Sequence, residues 1–190
     1  MKRHAIYIII VILGSAVGFF AHKTFFTPPE SAPIIETEIQ DTQQDTFSEY
    51  MCIYTLDENS YKEYVRLYVR PPNYLNVKQR LDYLAGLISQ SEFRGLPIEI
   101  SDIEKRNGLD IIKINLKEIG DFKSPSWKYG YFQGSCGGQI TSHTLKESFL
   151  QRDYKGEWID GVEFYYEGRP MADGDWDHVC LNGLFLRSAK

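Results

Sequence analysis

Alternating apolar and polar positions predict several strands from residue 50 onward. Strand-like runs rich in Tyr, Val and Ile cover residues 50–56 and 63–70, and the polar residues between them suit a hairpin. Two more alternating runs, at 98–103 and 109–116, flank an Asn-Gly dipeptide. This dipeptide is a strong signal for a tight hairpin turn, so we expect a second antiparallel pair there.

Two segments change to the helical period. After Asn76, a residue that favours the N-cap position, apolar residues recur at helical spacing. A second helix is predicted over residues 139–151, after a Gly-rich turn at 134–138, and a strand closed by Gly168 follows. The predicted order is therefore β-β-α-β-β-α-β. Helices combined with antiparallel hairpins predict an α+β fold, arranged as a two-layer sandwich.

An apolar run, residues 5–21, precedes the domain and follows a four-residue stub that contains Lys2 and Arg3. Seventeen residues at about 1.5 Å each span about 25 Å, the short end of what crosses a bilayer. The positive-inside tendency places the stub, residues 1–4, in the cytoplasm and the domain outside. Phenylalanines crowd the position where a signal peptide needs small residues, so a transmembrane anchor is favoured. A cleaved secretion signal stays the alternative.

The composition changes again between this run and the domain. Residues 22–48 begin with prolines and continue with Glu, Asp, Gln and Thr, which predicts a flexible acidic linker. The remaining length suits one domain, residues 49–190. From residue 48 onward there are 18 basic and 21 acidic residues, so the domain is mildly acidic. Without a basic run it lacks what phosphate neutralisation requires, and we exclude nucleic acid as a partner.

Three local strings carry a family resemblance. They are the strand string IIKINL at residues 111–116, the helix string with Thr144, Leu145 and Phe149, and the strand string Gly161-Val162-Glu163-Phe164 leading to Gly168. Together with the order of elements, they resemble the GerMN domain, an extracytoplasmic domain of sporulation, germination and other envelope proteins of Gram-positive bacteria. The resemblance covers about residues 50–188, and its specific part is residues 139–170.

The resemblance implies a fold and a role. It implies a ring-building-motif-like α+β domain over residues 49–190, present in a single copy, and a non-enzymatic role in assemblies of the cell envelope. Many members of the family are lipoproteins or carry two copies. This chain departs from them, because it has a single copy and no lipid-attachment cysteine directly after its apolar run. A role in sporulation or germination is implied by the resemblance alone.

The string QGSCGG at residues 133–138 is similar to the QGSCGS stretch of papain-like proteases. In that family the nucleophilic cysteine lies three residues after the first cysteine of the stretch, where this chain has Gln139. Cys136 could itself be a nucleophile at a helix N-terminus, with His143 or His178 as its base, and this cysteine enzyme is the remaining enzymatic alternative. We predict no catalytic residue and a non-enzymatic protein.

The chain has three cysteines, an odd number for an extracytoplasmic domain. Cys136 and Cys180 are the candidate disulfide, which would connect the Gly-rich turn to the C-terminal tail. Cys52 alternates with tyrosines on a strand and is expected to pack there. The sequence leaves the pairing open.

The sequence contains the partial pattern of two metal sites, and neither is predicted. Four residues of the types that bind zinc are present, but they lack compact spacing; they are Cys136, His143, His178 and Cys180. Aspartates at 173, 175 and 177 have the spacing of a calcium loop, but His178 and Leu184 stand where that loop needs Gly and Glu. We therefore predict no metal and no cofactor.

Four aromatic residues cluster in a loop rich in Gly, Ser and Pro: Trp127, Tyr129, Tyr131 and Phe132. Such side chains can anchor a protein interface or stack on sugar rings. In strand alternation the first three would share one face and contribute partly to the core. These four residues are the candidate interface. We predict binding to envelope proteins, with homo-oligomerisation open, and cell-wall glycan is the alternative ligand.

Overall fold

The structure, a computed structural model, describes residues 49–120 and 125–188. The cytoplasmic stub, the apolar run at 5–21 and the acidic linker at 22–48 lie outside the described residues, so their predictions stay predictions. Within the described ranges, no helix has both the length and the apolar character needed to cross a membrane.

The first two strands form the predicted hairpin. Strand β1 spans Met51–Leu56 and pairs antiparallel with β2, Glu63–Val69, with a register shift between Ile53 and Tyr54. The two strands differ in burial: five of the six β1 residues are buried, whereas five of the seven β2 residues are exposed. The hairpin therefore packs on the domain through β1.

Helix α1 spans Val77–Glu92 and begins at the predicted N-cap. The Asn76 side chain accepts the backbone N–H of Gln79 at 2.9 Å, and the Gln79 side chain accepts the N–H of Asn76 at 3.0 Å. This reciprocal capping box satisfies two donors that a helix start otherwise leaves unpaired. Its buried apolar face lies at helical spacing, as predicted; the fully or nearly fully buried residues are Leu81, Leu84, Ala85 and Ile88.

The second predicted pair of strands is present in three pieces. Strands β3, Ile98–Ile100, and β4, Glu104–Arg106, both pair antiparallel with β5, Leu109–Leu116. Asn107 and Gly108 connect β4 to β5 with φ values of 52° and 83°. Both values lie in the left-handed region that a tight hairpin turn requires, which confirms the predicted turn.

A π-helical turn, Trp127–Tyr131, leads into helix α2, Ser135–Leu150. The predicted start of this helix is wrong, because α2 begins four residues earlier and the Gly-rich string forms its first turn instead of preceding it. The tertiary structure explains the glycine at position 138. A Cβ on Gly138 would lie 2.7 Å from the backbone oxygen of His178, so the C-terminal tail can cross the helix closely only at a residue without a side chain.

The last strands complete a mixed sheet. Strand β6, Gly161–Tyr166, runs parallel to β5, and a turn through Gly168 joins it to β7, Arg169–Pro170. Strand β8, Leu184–Leu186, pairs with the start of β6. The strand order is β3-β5-β6-β7, with β4 on β5 and β8 on β6. The predicted seven-element order thus lacks β4, β7 and β8 as separate strands.

The core lies between the mixed sheet and the two helices. Inward residues of β5 and β6, such as Ile114 and Phe164, pack in one cluster with residues of α1 and α2. The other face of the sheet carries charges: Arg106 donates two hydrogen bonds to the Glu163 carboxylate, at 2.8 and 2.7 Å. These bonds lower the pKa of Glu163. The α+β class is therefore confirmed, and the arrangement is compatible with two layers.

Candidate functional site

Ser148 of α2 and Gln151, the residue that caps the end of α2, bond the backbone edge of β1 where a neighbouring strand would otherwise lie. Gln151 Oε1 accepts the backbone N–H of Cys52 at 2.8 Å, and Gln151 Nε2 donates to the Cys52 carbonyl at 2.6 Å. At Tyr54, two residues further along β1, Ser148 Oγ accepts the backbone N–H at 2.9 Å and donates to the backbone carbonyl at 3.3 Å. Buried peptide groups need such partners. The side chains thus fix β1 in place and leave β2 on the outside.

Strand β2 presents large side chains to solvent. In the part of the chain that the structure describes, β1 is its one strand partner. Tyr64 is 41% exposed, Leu67 39%, and Tyr61 in the preceding turn 45%. An exposed outer strand with apolar and aromatic side chains is typical of a surface that another chain covers. We call this surface, Tyr61, Tyr64 and Leu67, the hairpin face.

A groove of about 480 Å³ lies beside the hairpin, along the exposed side of α2. We call it the charged groove; its lining residues are Tyr54, Glu63, His143, Lys146, Glu147, Arg152, Asp153, Phe185 and Leu186. His143 Nε2 lies 2.8 Å from Glu63 Oε2, and the Tyr54 hydroxyl donates to Asp153 at 3.4 Å. Burial raises the pKa of Tyr54, so its hydroxyl stays a donor. These groups pair with one another and include no nucleophile of the serine or cysteine type.

A second cavity, of about 460 Å³, lies between the hairpin, the end of α1 and the π-helical turn. We call it the hairpin pocket and define it by Tyr64, Arg66, Glu92, Phe93 and Tyr131, which are among its lining residues. Arg66 reaches into it from β2: its Nε lies 3.7 Å from a Glu92 oxygen, and its Nη1 donates to the Tyr64 hydroxyl at 3.3 Å. The pocket therefore combines three carboxylates, those of Asp57, Glu58 and Glu92, with aromatic rings directly beside the hairpin face.

The predicted aromatic interface is divided between core and surface. Trp127 is fully buried, and its Nε1 donates to the Lys117 carbonyl at 3.1 Å. Phe132 is also buried and Tyr131 is half-buried, whereas Tyr129 is 71% exposed. The segment forms a helical turn instead of a strand, so alternation does not decide which side chains share a face. Of the four predicted residues, Tyr129 is the one whose ring is largely available to a partner.

The structure has all three cysteines as free thiols. Cys136 Sγ lies 3.9 Å from the Glu58 carbonyl, in the turn of the hairpin, whereas the N–H of Cys180 donates to Ser142 Oγ at 2.9 Å. Cys136 and Ser142 are six residues apart on α2 and point to different sides of it. The candidate pairing of Cys136 with Cys180 stays a prediction. Cys52 is buried on β1, as expected, and burial raises the pKa of its thiol.

The two histidines considered as a base for Cys136 lie on different elements. His143 lies on α2, and its Nε2 is 2.8 Å from Glu63 Oε2. His178 lies in the tail that crosses Gly138. Across residues 49–120 and 125–188, no three or more His, Cys, Asp or Glu side chains are grouped so that they could hold a metal ion.

No protein-family model, curated protein or solved structure matches this chain. The hairpin face and the hairpin pocket were missed by the sequence reasoning, which identified β2 only as a strand. One signal was present: the string EYVRLYVR interleaves charged with apolar residues and lacks the clean alternation of a half-buried strand. Such mixed patterning is typical of an outer strand. Glu92 carries no comparable local signal.

Proposed function

We propose that the chain is a single-pass envelope protein whose domain binds other proteins through the hairpin face. The observation that carries this proposal is the exposure of Tyr61, Tyr64 and Leu67 on a hairpin that is fixed to the domain through its other strand. Covering such side chains removes apolar surface from water, and aromatic residues at the centre of an interface often dominate its energy.

The partner we propose is a segment of another envelope protein that carries apolar or aromatic side chains and at least one basic residue. Residues 57–67 contain three acidic and two basic residues, and the pocket beside them adds Glu92. Opposite charge on the partner would favour the encounter and fix its position. Binding to a second copy of this chain is an outcome that the experiment below distinguishes.

The surroundings of this domain are part of the same proposal. The apolar run at 5–21 would anchor it, with the stub at 1–4 in the cytoplasm and the linker at 22–48 outside. Secretion after cleavage of the run is the alternative. Membership of the GerMN family, its ring-building-motif-like fold and a role in sporulation or germination rest on the three strings named above and on the expected order of elements.

The test compares partner crosslinking by full-length tagged protein in membranes of its own organism. The test variant combines Tyr64→Ala with Leu67→Ala, and the matched control is Tyr83→Ala. Tyr83 is 41% exposed on α1 and, nine residues before Glu92, lies on the opposite side of that helix from Glu92. We expect the wild type and the control to crosslink the same identified protein through the same identified peptide, and the test variant to lose it.

Equal crosslinking by all three proteins would contradict the hairpin face as the binding surface. Loss in the test variant counts only if its thermal unfolding matches that of the control, because a damaged fold would also lose the partner. An adduct made of two copies of this chain would replace the proposed partner by self-association through the same face.

A second candidate function, glycan binding, is favoured by one observation. Tyr129 is 71% exposed, and the Lys128 ammonium lies 5.1 Å from the centre of its ring. An exposed ring with a donor beside it suits stacking on a sugar. We would measure sedimentation with purified wall glycan for Tyr129→Ala and, as control, for Tyr74→Ala, at a position 85% exposed elsewhere. Loss for Tyr129→Ala alone would support the glycan; equal sedimentation would exclude this site.

A further inference from the structure

The hairpin pocket contains a carboxylate whose hydrogen bonding is incomplete. Glu92 ends α1, and its Oε1 is buried without a hydrogen-bond partner among the residues the structure describes. The nearest cationic atom, Arg66 Nε, lies 3.7 Å away, beyond hydrogen-bond distance. A buried, charged acceptor without a donor is costly, so a group that supplied one would gain binding free energy here.

Aromatic rings surround this carboxylate. Phe93 follows Glu92 directly, and the Tyr131 ring meets the Phe93 ring edge to face, with 5.0 Å between the ring centres. Burial raises the pKa of Tyr131, so its hydroxyl stays neutral. Tyr64 lies on the β2 side of the same cavity. A cation is attracted to the faces of such rings, and the attraction is stronger where water is partly excluded. This attraction adds to that of the Glu92 carboxylate.

The domain already places one cation in this cavity. Arg66 directs its guanidinium between Tyr64 and Glu92, with Nη1 3.3 Å from the Tyr64 hydroxyl and Nε 3.7 Å from Glu92. The contact is loose, because the Arg66 side chain remains 55% exposed while that of Glu92 is 12% exposed. The cavity of about 460 Å³ leaves room for a second side chain once Arg66 turns outward into solvent.

We propose that the hairpin pocket binds a basic side chain, arginine or lysine, of the partner, with Glu92 as its counter-ion, and that Arg66 takes this place in the free protein. The inference rests on the proposed function and adds the chemistry of the group that the partner inserts. A guanidinium or ammonium supplies the donor that Glu92 lacks, and its aliphatic stem packs on the aromatic rings.

The pocket can be tested without the natural partner. The probes are N-acetyl-L-arginine methylamide and N-acetyl-L-lysine methylamide, and the neutral control is N-acetyl-L-norleucine methylamide, which matches the lysine stem. Amide shifts of the full-length protein in detergent micelles report binding. We expect both basic probes to shift the amides around Glu92 and Phe93, and the norleucine compound to leave them unchanged.

Two substitutions are expected to act in opposite directions. Glu92→Gln removes the charge and should lower the affinity of the basic probes at least about tenfold, the effect of losing a charged hydrogen bond. Arg66→Ala removes the resident cation and should raise the affinity of the same probes severalfold. The matched control is Glu99→Gln, an exposed carboxylate on β3, which should leave probe affinity unchanged. Away from the pocket, amide shifts of each variant that match those of the wild type establish that the variant keeps the fold.

Three results would overturn the inference: no shifts around Glu92, equal shifts with the norleucine compound, or unchanged affinity in Glu92→Gln. The crosslinking experiment separates this failure from that of the proposed function. If the wild type and Glu92→Gln crosslink the partner equally, the hairpin face stands and the basic group does not. If the probes bind as expected but no partner crosslinks through the hairpin face, the proposed function fails while the pocket remains a cation site.

Discussion

Replacing Gln151 with alanine is expected to lower the free energy of unfolding by about 0.5–4.5 kcal/mol. The Gln151 side chain is 1% exposed and bonds both the N–H and the carbonyl of Cys52, which is itself buried. Alanine leaves both peptide groups without these partners, at about 1–3 kcal/mol each. About 1.5 kcal/mol returns, because a long side chain no longer has to be ordered on folding.

The backbone at this residue gives a second, independent comparison. Gln151 has a φ of 46° and a ψ of 51°, in the left-handed region at the end of α2. Alanine is strained there as glutamine is, so the strain cancels in the first comparison. Glycine adopts this conformation freely. Gln151→Gly is therefore expected to be more stable than Gln151→Ala by about 1 kcal/mol, although it deletes more atoms.

The measurement is urea unfolding of the full-length protein in mild detergent, followed by tryptophan fluorescence. The matched control is Gln90→Ala at an exposed position of α1, expected to change stability by less than about 0.5 kcal/mol. A change in Gln151→Ala no larger than that of the control would refute the idea that side chains of α2 replace a strand beside β1. Glycine less stable than alanine would refute the assigned backbone conformation.

Three further predictions test the packing and the charges, all by chemical or thermal unfolding. Gly138→Ala should cost about 1–3 kcal/mol because its Cβ would meet the tail backbone, whereas Gly86→Ala, with open space around it, should gain about 0.5–1 kcal/mol; equal effects would contradict the tail position. Trp127→Ala should cost about 3–5 kcal/mol and Tyr129→Ala less than about 0.5 kcal/mol, in line with their burial. Because its arginine partner lowers the pKa of Glu163, this carboxylate adds stability that is present above its ordinary pKa of 4.5 and is lost as the pH falls below it. Glu163→Gln should flatten that part of the acid profile, and an unchanged profile would contradict the pairing.

The elements with strong local signals could be predicted from the sequence. Asn76 caps α1, and Asn107-Gly108 turns the β4–β5 hairpin, because each of these signals acts through neighbouring backbone groups. The start of α2 could not be predicted. Two glycines in succession normally indicate a turn, and the reason for the glycine at 138 is the tail carbonyl that crosses it 40 residues later in the chain.

The candidate site depends even more on contacts between distant residues. Gln151 and Cys52 are separated by 99 residues, and His143 and Glu63 by 80. No local pattern indicates that β1 would rest on α2, although the mixed patterning of EYVRLYVR is typical of an outer strand such as β2. The aromatic loop has the composition of an interface, but the π-helical turn buries Trp127. There the indole N–H donates to the Lys117 carbonyl, a contact that no local pattern indicates.

The most direct test of the central claim is a photoreactive amino acid in place of Leu67, compared with the same amino acid in place of Tyr83. Both positions are exposed to a similar degree, 39% and 41%, and only the first lies on the hairpin face. Binding through that face predicts an adduct with one identified envelope protein from position 67 and none from position 83. An adduct from position 83 alone, or from neither position while the protein sits in its own membrane, would contradict it.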